Sequence, residues 1–160
     1  MSKLTQYPSD EFPGPTPVSV VLPDSWVVYP APEVSFLAAS PQDGENPRMS
    51  AVVSVRRVSA ELSLEELMAS LTEEVLAIPD SQLTETEVRL ISDRRALLAC
   101  YTILNDDDGK PYYQKQVLVL EPVSEYVNDA VMLTLTGIDG SDMDNSGELS
   151  SIMDSLQIGL

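Results

Sequence analysis

Ala96-Leu97-Leu98-Ala99-Cys100-Tyr101-Thr102-Ile103-Leu104 is apolar at nearly every position, odd and even alike. Successive side chains of a strand point to opposite faces. Leu98, Cys100 and Leu104 therefore line one face, and Leu97, Ala99, Tyr101 and Ile103 the other. Such a strand has to be covered on both sides. Asn105-Asp106-Asp107-Asp108-Gly109 follows it, and Asp-Gly between two strand-type runs is a hairpin signal, so Lys110 to Glu121 reads as the return strand. On its other side Leu83 to Ile91 alternates imperfectly, as a half-exposed outer strand does, and Ala130 to Thr136 supplies a further apolar run.

Upstream, the apolar runs are short and punctuated by proline. Val18 to Leu22, Trp26 to Tyr29 and Val34 to Ala39 are separated by Pro23, Pro30 and Pro32; the turn-forming stretch 41–47 then precedes Met49 to Val58. Two segments change period. Leu64, Leu67, Met68, Leu71 and Val75 form a helical stripe, opened by Ser63 and Glu66 as a capping box and closed before Pro79. Leu149, Ile152, Met153 and Leu156 form a second stripe. Strands joined by short turns pair antiparallel, and two amphipathic helices are the natural covers for a two-faced sheet. The expected fold is α+β, an antiparallel β-sheet flanked by helices in an α/β/α sandwich. Residues 1–15, with Pro8, Pro13 and Pro15, are expected to be a flexible N-terminal arm, and residues 16–160 a single domain.

The chain's chemistry is limited by what it lacks. It has no His, so Ser-His and Cys-His nucleophile pairs and imidazole metal sites are excluded. Its single Cys100 can form neither an internal disulfide nor a cysteine cluster, and its place in the two-faced strand predicts burial. There is no Gly-x-Ser-x-Gly element and no glycine-rich phosphate loop. Asp142, Asp144, Ser146 and Gly147 match the opening of a calcium loop, but the position for its bidentate acid is Met153. Asp144, Asn145 and Ser146 read instead as caps for the second helix. No catalytic, cofactor-binding or metal-binding residue is assigned, no cofactor is expected, and the chain reads as a non-enzyme.

The 26 Asp and Glu outnumber the 9 Lys and Arg, for a net charge of −17. That surface repels phosphate backbones and anionic headgroups, which argues against nucleic acid and membrane partners. It suits a neutral or basic protein partner. Arg56-Arg57 and Arg94-Arg95, the only basic pairs, are expected to offset local acid. No apolar run approaches a membrane span, and Met1 to Pro8 has no apolar stretch of the export type. A cytoplasmic location is expected if Met1 is the native start, and an envelope one if an export signal has been removed.

Val20-Val21-Leu22-Pro23-Asp24-Ser25-Trp26, the helix opening Ser63-Leu64-Glu65-Glu66-Leu67, and the closing stretch from Val131-Met132-Leu133-Thr134-Leu135-Thr136 to Ser151-Ile152-Met153-Asp154-Ser155-Leu156-Gln157-Ile158 resemble the PsbP-like α/β/α sandwich proteins. More narrowly, they are similar to the LpqN family of actinobacterial proteins. The resemblance spans residues 17–158. It implies a non-catalytic binding or assembly accessory, like the photosystem subunits, the GTPase-binding import factor and the envelope lipoproteins that share the fold. It carries over no catalytic residues. The expected function is a protein-interaction module. The alternative is a binder of a small apolar or lipid-like ligand between sheet and helix. A closed cavity lined by Phe36, Leu67 and Tyr101 would favour the ligand binder, and a solid core with an exposed apolar patch would favour the module.

Overall fold

Two antiparallel meanders share one sheet. The computed structural model describes residues 2–41, 48–104, 109–138 and 147–159. The first meander is β2 (Val27–Tyr29), β3 (Phe36–Ala39) and β4 (Ser50–Ser59), and the second is β5 (Gln82–Ile91), β6 (Arg94–Leu104), β7 (Pro111–Pro122) and β8 (Val127–Gly137). The last strand of each pairs with the other, β4 against β8, giving the seven-stranded order β2-β3-β4-β8-β7-β6-β5. Helix α1 (Leu64–Leu76) carries the chain from the middle of the sheet to its far edge. Helix α2 (Glu148–Asp154) lies after β8, and β1 (Val18–Ser19) pairs with β9 (Gln157–Ile158) as a separate two-stranded sheet.

The two-faced pattern has the expected consequence. Ala96 and Leu98 of β6 join Val117, Val119, Val131, Leu133 and the α2 residues Leu149, Ile152 and Met153 in one core, while Ala99, Tyr101 and Ile103 join Leu64, Leu67, Met68 and Val75 of α1 in the other. Each of the buried Val, Leu, Ile and Met side chains contributes roughly 1.5–3 kcal/mol. Each face of the sheet therefore packs against a helix, as the sandwich requires.

Ser63 caps α1, accepting a hydrogen bond from the Glu66 amide at 3.1 Å. The reciprocal contact differs from a capping box, because the Ser63 hydroxyl donates to Glu66 Oε1 at 3.2 Å. Three expectations are corrected. The Val18–Leu22 run contributes only Val18 and Ser19 to a strand; beyond them the Val21 amide turns to the Ser155 hydroxyl. The cap of α2 is Gly147 rather than Asp144, Asn145 or Ser146, and it makes no side-chain cap bond. Cys100 is half-buried instead of buried. It shares a face with Leu98, but α2 is only seven residues long and the Cys100 neighbours across the strands are Glu85 and Lys115. The calcium-like run at Asp142 and the turn residues Asn105 to Asp108 lie outside the described residues.

At the other end of this face runs a row of charges. Arg57 on β4 sits opposite Asp129 on β8, and Asp129 opposite Glu121 on β7; Arg94 on β6 completes the row through an ion pair with Glu121. Two acids side by side repel unless each has its own cation, and here each does. Asp129, 1 % exposed, accepts from Arg57 Nε at 3.0 Å, from the Thr16 amide at 2.9 Å and from the Thr16 hydroxyl at 2.6 Å. Arg57 in turn donates to the carbonyls of Pro13 and Gly14. Arg94 donates to the Ser92 carbonyl at 2.7 Å. It thereby braces the Ser92-Asp93 turn, whose two residues both have positive φ as a tight hairpin demands.

Burial pushes the Asp129 carboxyl upward, but the bonds from Arg57 and Thr16 outweigh it and hold the group below its ordinary value of 3.8. A carboxylate depressed in the folded state contributes stability that is complete above the unfolded value and is lost as pH falls through the folded one. Arg57→Ala, which strands a buried charge, is expected to cost about 2–4 kcal/mol at pH 7, with Arg57's partial exposure keeping the loss from the top of the range. Asp129→Asn is expected to flatten the loss of stability below about pH 4. Urea midpoints measured across the acid range check both.

Candidate functional site

Helix α1 divides its residues between core, groove and solvent. Leu64, Leu67, Met68 and Val75 are buried, and Thr72 fixes the helix to β6 through a 2.9 Å hydrogen bond with the Tyr101 hydroxyl. Burial raises the Tyr101 phenol above its usual value, with the Thr72 bond opposing. Glu65, Glu66, Glu73 and Glu74 are all exposed, and the helix carries no Lys or Arg. One of the four is matched: Glu65 pairs with Arg95 on β6, whose hydrogen bond holds the carboxyl below its ordinary value. Glu73 and Glu74 occupy the last turn, where the negative end of the helix dipole disfavours acids by about 0.3–1 kcal/mol each. Immediately beyond them Leu76 and Ile78 are exposed. Acid and apolar surface thus meet at the C-terminal end of α1.

Beside α1 the sheet is not fully covered. An open groove of about 380 Å³ runs between the helix, which supplies Leu67, Ser70, Leu71 and Glu74, and the turn carrying Glu33 and Val34. Its floor is Ser54, Leu118, Ala130 and Met132, residues that are cross-strand neighbours on β4, β7 and β8. Glu33 stands at its rim with φ of 66°, a left-handed conformation that side chains other than glycine seldom adopt. Arg56 also lines it, and among the described residues no carboxylate lies within ion-pairing distance of Arg56. Two residues along β7 from Leu118, on the same face, Gln116 is 7 % exposed and its Oε1 has no hydrogen-bond partner.

The residues singled out in the sequence separate. Phe36 packs against the α2-side core while Leu67 and Tyr101 belong to the α1-side core, so the three do not line a common cavity. Strand alternation places Arg56 and Arg57 on opposite faces, and Arg94 and Arg95 likewise. Arg57, Arg94 and Arg95 each offset an acid as expected, and Arg56 alone does not. Gln116 was not legible as special, because amides are ordinary in strands. The one available hint was an amide two positions before the apolar Leu118-Val119-Leu120 run. Among the described residues no three acidic or cysteine side chains converge as a metal site would need. No helix of the described residues is long and apolar enough to cross a membrane.

Among solved structures the chain is similar to LpqN of Mycobacterium tuberculosis, a protein involved in cell envelope biogenesis. The TM-score is 0.74 and the identity 16 %, over 92 % of this chain and 86 % of that one. The fold is LpqN-like and PsbP-like. The cyanobacterial PsbP (CyanoP) of Synechocystis matches with a TM-score of 0.63 at 10 % identity, covering 88 % of this chain and 86 % of its own. PA94 of Pseudomonas aeruginosa, of unknown function and described as a candidate regulator, matches at 0.59 and 16 %, covering 89 % and 96 %. No family model and no curated protein matches the sequence. At these identities the likeness shows the fold alone.

Burial raises the Cys100 thiol above its ordinary value, Lys115 opposes the rise, and Glu85 and Glu87 add to it. The thiolate is the reactive form, so Cys100 is expected to react with a thiol reagent at neutral pH roughly tenfold more slowly in the native protein than in urea. Stopped-flow labelling measures the ratio, and equal rates would contradict the assigned environment.

Proposed function

We propose that this chain is a non-catalytic interaction module that binds a basic or neutral protein through the outward face of α1. One observation carries the reading: α1 presents four glutamates and no cation, two of them where the helix dipole opposes them, beside exposed Leu76 and Ile78. Acids so placed lower the stability of the isolated helix, and a cationic partner would offset that cost. The separation of Phe36 from Leu67 and Tyr101 onto opposite faces of the sheet supports a role for the surface over the expected interior cavity. The fold neighbours agree with a non-enzyme, none being described as a catalyst.

The groove supports a second reading, a small ligand with an apolar body and a hydrogen-bond donor. The apolar floor would take the body, and Gln116 Oε1 is an unmet buried acceptor on the same face. A ligand there would be lost on Met132→Trp, which fills the floor, and would be seen by native mass spectrometry of the wild type.

The test of the leading reading is purification of partners from the native host with the wild type and with a Glu66→Gln, Glu73→Gln, Glu74→Gln variant. The partner is expected to be neutral or basic, and to lose roughly tenfold in affinity with the variant. Its association should slow with salt while dissociation changes little. Glu73→Gln with Glu74→Gln alone, which leaves the first-turn acid Glu66 in place, should melt higher than the wild type. A partner that ignores both the substitutions and the salt would overturn the reading.

A further inference from the structure

We infer that the outer edge of β5 is a docking site for an extended segment of the partner that alternates basic and apolar residues. The inference rests on the reading of the chain as an interaction module and specifies how the partner is held. β5 ends the seven-stranded sheet, pairs among the described residues only with β6, and runs from Gln82 to Ile91; the opposite edge strand, β2, has three residues. An edge strand of this length presents a row of backbone donors and acceptors that a further strand can satisfy. The bulge that interrupts pairing lies between Leu83 and Glu85, so Glu85 to Ile91 stays in continuous register with β6. That stretch is about 24 Å long at the usual rise of a strand.

The two faces of this edge specify what would fit. Val88 and Leu90, two residues apart on the α1 side, are 59 % and 72 % exposed, and Val88 sits opposite Leu97, which packs against the α1-side core. Apolar residues on an added strand would extend that core sideways. On the other side Glu85 and Glu87 alternate with Arg89. Arg89 is itself shared between Glu87 and Asp154, each at 3.2 Å, and among the described residues Glu85 has no ion pair. Basic residues on the added strand would complete the charge balance. A second copy of this chain is a body of the same net charge, −17, which disfavours self-pairing.

The probe is a short peptide alternating lysine and valine, tested against the full chain by amide hydrogen exchange and fluorescence anisotropy. Bound peptide is expected to slow exchange within Glu85 to Ile91. N-methylation of alternate peptide amides, which removes strand hydrogen bonds without changing charge, is expected to weaken binding at least roughly tenfold, and Val88→Lys with Leu90→Lys should do the same. Both substituted positions are exposed, so the fold tolerates the change. Binding that protects α1 instead, and is indifferent to N-methylation, would overturn strand docking while leaving the acidic-helix reading intact. Absence of peptide binding would also overturn it, with the host partner's response to the α1 glutamine variant deciding the wider reading separately. Protection of β5 without peptide, in a dimer, would overturn it in favour of self-pairing.

Discussion

A sheet whose inner strands are apolar on both faces has to be kept dry on both faces, and the rest of this structure follows from how that is done. On one side the thirteen-residue α1 covers the half of the sheet nearest β5 and leaves a groove toward β4. On the other side α2 has seven residues and cannot cover the sheet alone. The remainder is supplied by Trp26, whose indole donates to Glu148 of α2 at 3.2 Å, and by β1 and β9, which pair with each other across that face. Asp129 anchors this second cover. As a buried carboxylate it is costly unless fully bonded, and its bonds reach the segment at Thr16 that leads into β1.

Under the proposed function, this arrangement separates stability from recognition. Four of the nine cations are spent internally: Arg57, Arg89, Arg94 and Arg95 are all in ion pairs with acids of neighbouring elements. Among the described residues, the acids left without an ion pair include Glu66, Glu73 and Glu74 on outward positions of α1 and Glu85 on the β5 edge. Both lie on the same half of the molecule: Glu65 of α1 pairs with Arg95 of β6, the cross-strand neighbour of Leu90 on β5. A partner that added a strand to β5 could therefore also meet the acids of α1.

Much of the fold was legible because burial leaves a periodic signature. Ala96 to Leu104 announced a strand covered twice, Ser63 with Glu66 marked the start of α1, and the imperfect alternation of Leu83 to Ile91 marked an edge. The residues that depend on long-range placement were not legible. The return of β8 to β4 has no local signal, so neither the row from Arg57 to Arg94 nor the burial of Asp129 could be read, although an Asp directly before Ala130-Val131 is unusual inside a strand. Cys100 misled because its own strand is apolar, whereas its exposure is set by the length of α2. The candidate site was legible only as an acid excess. Which acids lack partners depends on where nine cations end up, and that is a property of the folded register.

The central claim is that the second cover is one cooperative piece pinned at Asp129. Residue-resolved native-state hydrogen exchange tests it most directly. The amides of Thr16, Ile158 and Gly159, bonded respectively to Asp129, Ser92 and Pro17, should exchange with a common free energy of opening, below that of Ala96, Leu98 and Val117 and well above that of a frayed segment. In Arg57→Ala all three should weaken together while the β6 and β7 amides open only at the lowered global stability. Independent exchange of Thr16 and Gly159, or loss of protection at Thr16 alone, would contradict the account.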